Sequence, residues 1–233
     1  MSIVVPLHAR AVFGRRVRVL AAQLAALIPP DAQVLDVGCG DGSIALATNA
    51  LRPDVEISGI DVLVRATAKM TVTSFDGRSI PFNDGSYDAV ILVDVLHHAD
   101  DATRLIQEAA RVARRTVLIK DHLADGFLAR PILRFMDWVG NAGHGVPLPY
   151  NYWRDDQWSD AFAAARLEPR VRVESLNLYP WPFSAVFDRR LHALWCLDVG
   201  GPLGDVRSSE EYEVADDAKR AEGPSDDDEA LGQ

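Results

Sequence analysis

Short apolar runs recur along the chain and alternate with longer stretches whose apolar residues repeat every three or four positions. Such runs are typical of strands buried in a sheet, and the longer repeat is typical of helices packed on it. The predicted strands are 34–37, 55–60, 71–75, 89–93, 116–119, 171–173 and 191–199. The predicted helices are 8–28, 46–51, 102–112, 127–139 and 155–165. The alternation predicts an α/β fold that closes with an antiparallel pair of strands.

Three glycines, Gly38, Gly40 and Gly42, follow the first predicted strand at every second position. Glycine allows a sharp turn and close approach of a ligand, and the free N–H groups of the helix start that follows attract electron-rich or anionic groups. A dinucleotide fingerprint counted from Gly38 would need glycine where Ser43 stands. This spacing, together with the missing Tyr-x-x-x-Lys motif, speaks against a nicotinamide oxidoreductase.

Acidic residues follow the second and third predicted strands. Asp61 lies nineteen residues after Gly42, where nucleoside sites place a carboxylate against the ribose hydroxyls. Its alternative role is to cap the next helix. Asp76 and Gly77 follow the third strand, and this dipeptide is also common in plain turns.

Two segments carry a family resemblance. Residues 34–45 (VLDVGCGDGSIA) resemble motif I of the class I S-adenosylmethionine-dependent methyltransferases, and residues 80–88 (IPFNDGSYD) are similar to the LPF-x-DGSFD segment of small-molecule methyltransferases. The resemblance implies a Rossmann-like three-layer sandwich, with a seven-stranded, mostly parallel sheet and an antiparallel last strand. It also implies S-adenosylmethionine as cofactor and in-line methyl transfer to an oxygen or carbon of a small, apolar metabolite. The cofactor-binding residues expected from it are Asp36, Gly38, Cys39, Gly40, Asp61, Val62, Asp76, Gly77, Asp94 and Val95.

Histidines follow the fourth and fifth strands, at the edge where ligands bind in open α/β sheets. We predict His97 and His122 as catalytic bases, needed only if the acceptor is a hydroxyl that must lose its proton. A structural role is the alternative for each. His144 and Tyr150, in the connection after the fifth strand, are further candidates to reach this space.

Asp94, Asp121 and His122 raise the possibility of a magnesium ion. Catechol-type methyltransferases have an Asp-Asn pair after the fifth strand, where this chain has Asp121 and His122. Histidine is a poor magnesium ligand, so no metal is predicted.

Two segments flank the predicted sheet. The N-terminal helical cap, 1–30, either covers the cofactor cleft or packs on the sheet edge. The connection 123–152 is long enough for a lid insertion, and 127–139 holds eight large apolar residues in thirteen. As a lid, it would place Phe135, Met136 and Trp138 against the acceptor. The alternatives are a packing helix or a homodimer interface.

Composition limits the remaining function classes. A chain of 233 residues with 48% hydrophobic content suits one domain, assigned to 1–204. The segment 205–233 has eleven acidic and three basic residues, so it carries −8 of the net charge of −10 and is predicted to be a disordered tail. The chain has no basic stripe with interleaved aromatic residues, no signal peptide and no apolar run of membrane-spanning length, so we expect neither nucleic acid nor a membrane span. Two cysteines suit the cytoplasm. A non-catalytic S-adenosylmethionine-binding scaffold or regulator stays open.

Overall fold

The computed structural model describes residues 4–141, 151–181, 183–188 and 190–200. The helices are α1 (Val4–Leu27), α2 (Ser43–Leu51), α3 (Ala102–Val112), α4 (Ala129–Asn141), α5 (Asp155–Ala164) and α6 (Ser184–Phe187). The strands are β1 (Gln33–Val37), β2 (Glu56–Asp61), β3 (Val72–Ser74), β4 (Tyr87–Val93), β5 (Ala113–His122), β6 (Leu167–Val173) and β7 (His192–Val199). A single 3₁₀ turn, Leu96–His98, follows β4.

The strands form one seven-stranded sheet in the order β3-β2-β1-β4-β5-β7-β6. β1 to β5 are parallel, and β7 runs antiparallel to both β5 and β6. The predicted fold class is therefore confirmed. Because β7 is antiparallel, its first residue lies at the carboxyl edge of the parallel strands, where His192 pairs with His122.

Helices cover both faces of the sheet. On one face, the apolar side of α3 packs with Trp158 and Phe162 of α5 against β4 and β5. On the other, Leu20 and Leu24 of α1 pack over Ile91 of β4 in a second apolar cluster. α1 thus packs on a sheet face, and its Arg16 contacts Asp94 at the carboxyl edge. The predicted cap of α3 is confirmed, because the Asp101 carboxylate accepts a hydrogen bond from the Arg104 N–H at 2.9 Å.

Three elements differ from the sequence pattern, and one of them is β6, which begins at Leu167 rather than at 171. In the described backbone of 62–71, turns stand where a helix would usually connect β2 to β3. The alternative that Asp61 caps such a helix is therefore wrong, and ten residues are few for a helical crossover. β5 extends beyond the predicted 116–119 at both ends. The sequence pattern missed the end of β5 because its last residues are polar and are buried in a polar cluster rather than in the apolar core.

The connection after β5 contains α4, while 142–150 lie outside the described residues, as do 201–233 and with them the predicted tail. α4 buries Ala129 and Leu133 in a small apolar cluster with Tyr152 and Leu191. Leu191 precedes β7, so this cluster joins the connection after β5 to the connection before β7. Within the described residues, no helix is long and apolar enough to cross a membrane.

Candidate functional site at the carboxyl edge

The glycine turn lies at the end of β1, against the end of β4. Gly38 has φ +74, and a Cβ added there would lie 2.4 Å from Cγ2 of Val95. Gly40 has φ +61, and a Cβ there would meet nothing within 4 Å. Positive φ favours glycine at both positions, but the surroundings of the two glycines differ. Gly38 allows close packing against the β4 end, whereas Gly40 borders open space that a ligand can occupy.

Asp61 connects the end of β2 to this turn. Its carboxylate accepts the Gly40 N–H at 2.8 Å through one oxygen and the Leu63 N–H at 2.8 Å through the other. An ionised carboxylate has about four lone-pair sites, so capacity for two further hydrogen bonds remains. These two remaining acceptor sites match the two hydroxyl donors of a ribose. Val62, the next residue, is 60% exposed beside it.

The Asp76–Gly77 turn follows β3 and lies next to the β2 end, because a Cβ on Gly77 would lie 3.0 Å from Cγ1 of Val62. Oδ1 of Asp76 accepts the backbone N–H groups of Arg78 and Ser79 at 2.8 and 2.7 Å. These bonds lower the pKa of Asp76, with the Ser79 N–H contributing most. The carboxylate is therefore an ionised, exposed acceptor within a turn.

Asp36 lies beneath the glycine turn in β1 and is 4% exposed. Burial first, and the charge of Asp61 second, raise the pKa of Asp36 from 3.8 to about 7. Cys39 is half-buried in the same turn, where burial and the charge of Asp36 raise the pKa of its thiol to about 12. Cys39 is therefore a neutral thiol that shapes the turn and is not a thiolate nucleophile.

Asp94 follows β4 with φ +56 and forms two ion pairs. One is with Arg16 of α1, and the other is with the Lys120 ammonium, whose Nζ lies 2.5 Å from Oδ1. Burial opposes ionisation, but the charges of Arg16 and then Lys120 hold the pKa of Asp94 well below its usual range. Burial in turn lowers the pKa of Lys120, and Asp94 opposes that change. The Asp94 carboxylate is thus already neutralised by two protein cations.

His97 and Asp121 form a buried pair between the ends of β4 and β5. Nδ1 of His97 lies 2.6 Å from Oδ1 of Asp121, and the two side chains are 3% and 1% exposed. Asp121 also accepts the N–H groups of Leu96 at 2.9 Å and His122 at 2.7 Å. Burial opposes ionisation of Asp121, but His97 and the hydrogen bonds keep its pKa well below the usual range. An ionised carboxylate only accepts, so Nδ1 of His97 donates to it and Nε2 is the basic nitrogen.

His122 and His192 extend this cluster. The ring centroid of His122 lies 4.3 Å from that of His97 and 5.0 Å from that of His192. Burial is the main cause that lowers the pKa of both His122 and His192. Nδ1 of His122 lies 3.3 Å from Oδ1 of Asp121, but the angle is not that of a hydrogen bond. Tyr152 closes the cluster, 5.4 Å from the His122 ring.

The structure brings the predicted residues into two groups. The glycine turn, Asp61, Val62 and the Asp76–Gly77 turn surround the ends of β1 to β3, and the histidines and Asp94 surround the ends of β4 and β5. Sequence reasoning missed Arg16 and His192. For His192 a signal existed, because it is a polar residue directly before the apolar run 193–197 of β7. His144 and Tyr150 lie outside the described residues.

Asp94, His97, Asp121 and His122 offer ligand atoms within 4.8 Å of one another, the spacing of a metal centre. The charge balance of this cluster opposes the binding of a metal ion. Lys120 and Arg16 already neutralise Asp94, and His97 donates to Asp121, so a divalent cation would add uncompensated positive charge. The sequence-based expectation of no metal stays a prediction.

The residues around the ends of β1 to β3 match the hydrogen-bonding groups of the adenosine end of S-adenosylmethionine. Asp61 can accept from the ribose hydroxyls, the Asp76 carboxylate is an exposed acceptor for an amino group, and the open side of Gly40 gives backbone access. The exposed Val62 supplies an apolar surface beside them.

Comparisons with known proteins agree with this fit. A family model described as a methyltransferase domain matches residues 8–170. The chain is 30% identical over 110 residues to the 27-O-demethylrifamycin SV methyltransferase of Amycolatopsis mediterranei, with 41% of this chain and 40% of that protein covered. It is 29% identical over 160 residues to the 2-methyl-6-phytyl-1,4-hydroquinone methyltransferase of Synechocystis, with 59% and 43% covered.

Solved structures show the same fold. The [4+2]-cyclase SpnF superposes with a TM-score of 0.57 at 17% identity, with 82% of this chain and 81% of that chain covered. At such identity the likeness concerns the fold alone. The chain also spans less than half the length of the two curated relatives named above.

Proposed function

Because this chain belongs to the S-adenosylmethionine-dependent methyltransferase family, we propose that it transfers the cofactor's methyl group to an oxygen or carbon of a small, largely apolar acceptor. The observation that carries this proposal is the His97–Asp121 pair at the edge of the sheet that also bears the glycine turn. Its arrangement suits proton removal from an acceptor hydroxyl or an acidic C–H.

Each residue of the site has a separate role in binding the cofactor or moving a proton. When bound, the cofactor supplies a methyl group made electrophilic by its sulfonium. Gly40 lets the backbone approach it, Gly38 lets the turn pack against Val95, and Asp61 binds and orients the ribose. His97 takes the acceptor's proton at Nε2, and Asp121 stabilises the imidazolium that forms. His122, which has a lowered pKa, stays neutral beside them and adds no competing charge.

The acceptor class follows from the surroundings of the histidines. Tyr152, Leu133 and Leu191 form the apolar cluster next to them. The two relatives named above act, by their names, on 27-O-demethylrifamycin SV and on 2-methyl-6-phytyl-1,4-hydroquinone, and the second name describes an apolar phytyl chain on a ring with two hydroxyls. A cytoplasmic location stays a prediction from the free Cys39 and Cys196.

Cofactor choice is tested first, by calorimetry with S-adenosylmethionine and with NAD. We expect binding of S-adenosylmethionine and none of NAD. Asp61→Ala should weaken binding by about 1.5–3 kcal/mol, the scale of hydrogen bonds to a charged group, and Asp100→Ala, at an exposed position, serves as its control. Binding of NAD alone would overturn the proposal, and unchanged affinity in Asp61→Ala would remove the ribose role.

Methyl transfer is tested with methyl-labelled cofactor and a panel of phenols, hydroquinones and enols. His97→Asn should reduce transfer by about 10²-fold or more at unchanged cofactor affinity, and should remove the lower limb of the pH–rate profile. A loss of under threefold would assign His97 a structural role. SpnF is described as a [4+2]-cyclase, so the fold alone does not establish methyl transfer. Cofactor binding without label transfer to any compound would favour the scaffold alternative.

A further inference from the structure

His192 carries a buried hydrogen-bond donor that has no role in the proton transfer from the acceptor. Its side chain is 3% exposed, and its Nδ1 lies 3.2 Å from Nζ of Lys120. A lysine ammonium has donors and no acceptor, and the ion pair with Asp94 at 2.5 Å favours the charged form, so Lys120 donates and Nδ1 of His192 accepts. Burial first, and the charge of Lys120 second, lower the pKa of His192, so the ring is neutral. A neutral imidazole has one N–H, and that proton is therefore on Nε2.

This donor has no acceptor within the part of the chain that the structure describes. Nε2 of His192 is buried, and none of the described residues forms a hydrogen bond with it. A buried N–H without an acceptor is unfavourable, and nearly all such groups in proteins have an acceptor from the protein or from an ordered water. The acceptor for Nε2 is therefore expected to come from a bound molecule or a water.

His97 and His192 offer opposite hydrogen-bonding groups in one cluster. Nδ1 of His97 donates to Asp121, which leaves its Nε2 as an acceptor, whereas Nε2 of His192 is a donor. Between ring centroids, His122 lies 4.3 Å from His97 and 5.0 Å from His192. Both histidines thus adjoin the same ring, close enough for one molecule to contact both. Such a molecule needs a hydroxyl for His97 and a second oxygen with a lone pair for His192.

The charges around His192 limit the chemistry of this second oxygen. Arg16 and Lys120 supply two positive charges, and the carboxylates of Asp94 and Asp121 supply two negative charges. These charges balance one another, so a carboxylate or phosphate on the bound molecule would bring an uncompensated negative charge into a buried site. A neutral oxygen, as in a carbonyl, an ether or a further hydroxyl, accepts from Nε2 without that cost.

We propose that His192 donates a hydrogen bond from Nε2 to a second, neutral oxygen of the methyl acceptor, which narrows the acceptor to apolar molecules that carry this oxygen beside the hydroxyl. The role of His192 rests on the proposed function, because His97 is the base there. Lys120 is then a positioning residue, since its contact with Nδ1 keeps the proton of His192 on Nε2. His192 selects and orients the acceptor, and the proton transfer stays with His97.

The test compares phenols that differ only in the second oxygen. The ortho-, meta- and para-methoxyphenols each have an ethylphenol of nearly the same shape, in which a CH₂ group replaces the ether oxygen. Affinities are measured by calorimetry on the full chain saturated with S-adenosylhomocysteine, so that no methyl transfer occurs. We expect at least one methoxyphenol to bind about fivefold or more tightly than its ethyl counterpart, because the ethyl group leaves Nε2–H of His192 without an acceptor.

Variants assign this preference to one side chain. His192→Leu should reduce it to under about twofold, whereas His192→Gln should retain part of it, because the amide nitrogen of glutamine can take the place of Nε2. The matched control is Thr116→Val, which also replaces a buried polar group, at the opposite end of β5, and should keep the full preference. In label transfer, His192→Leu should raise KM for the methoxyphenol more than it lowers kcat, and His97→Asn should lower kcat.

Nitrogen NMR of histidine-labelled protein tests the two tautomers without turnover. We expect the proton of His192 on Nε2 and that of His97 on Nδ1, and the variants His192→Gln and His97→Asn assign the two sets of signals. A proton on Nδ1 of His192 would overturn the proposal. The NMR measurement and the wild-type affinities decide the point even if His192→Leu fails to fold.

Equal affinities of every methoxyphenol and its ethyl counterpart, or no binding of either kind, would also overturn the proposal. If label transfer to phenols accompanies the equal affinities, methyl transfer stands and only the role of His192 is lost. The expected preference without label transfer would support the role of His192 and count against methyl transfer.

Discussion

Asp36→Asn should remove a pH-dependent loss of stability. The Asp36 carboxyl is buried beneath the glycine turn, and its pKa rises from 3.8 to about 7 on folding. A raised pKa means that the folded state holds the proton more tightly than the unfolded state. The stability from this proton is complete below about pH 4 and is lost as the pH rises through about 7.

The magnitude follows from the two pKa values. Each pH unit between them is worth about 1.4 kcal/mol, so the full cost of ionising Asp36 in the fold is about 4 kcal/mol. At about pH 5 part of this cost is already present, because the unfolded carboxyl is ionised there. Between about pH 5 and pH 8.5 the wild type should therefore lose about 3 kcal/mol that Asp36→Asn does not lose.

The assay is urea unfolding of both proteins at these two pH values. Any fixed effect of the amide on packing or hydrogen bonding is the same at both, so it cancels in the difference. Asp100→Asn, at a side chain that is 81% exposed, is the control and should follow the wild type. If the stability difference between wild type and Asp36→Asn changes by less than about 1 kcal/mol between the two pH values, the argument that Asp36 is buried as the protonated acid fails.

Three further outcomes are expected. Gly38→Ala should lower the melting temperature more than Gly40→Ala, because both have positive φ but only at Gly38 does the added Cβ overlap Val95, and equal effects would contradict this. In urea unfolding, His192→Gln should lose about 2 kcal/mol less stability than wild type when the pH falls from about 7 to about 5. The reason is that burial lowers the pKa of His192, so that only the unfolded state binds a proton in this range, and parallel plots of stability against pH for the two proteins would contradict this. Chelation with EDTA should leave cofactor affinity and methyl transfer unchanged in calorimetry and label transfer, and a loss restored by a divalent cation would show that the cluster around Asp94 holds a metal.

Features that depend on local chemistry can be predicted from the sequence. Short apolar or alternating segments predicted the positions of all seven strands, and Asp101 predicted the start of α3, because a strand pattern and a helix cap each involve residues close in the chain. The turn at Gly38 and Gly40 was predicted for the same reason, since the tolerance of positive φ is a property of glycine itself.

Which polar groups meet depends on how the elements are assembled. Arg16 and Lys120 come from different elements to neutralise Asp94, and His192 joins His122 only because β7 runs antiparallel to β5. No local pattern encodes a partner that lies 78 residues away, as Arg16 does from Asp94, or 26 residues away, as Lys120 does, since such contacts depend on how the sheet is assembled. The same holds for exposure. The sequence shows that 127–138 is rich in apolar residues, but only the packing of α4 on Tyr152 and Leu191 decides that Leu133 is buried while the aromatic rings of this segment face outward.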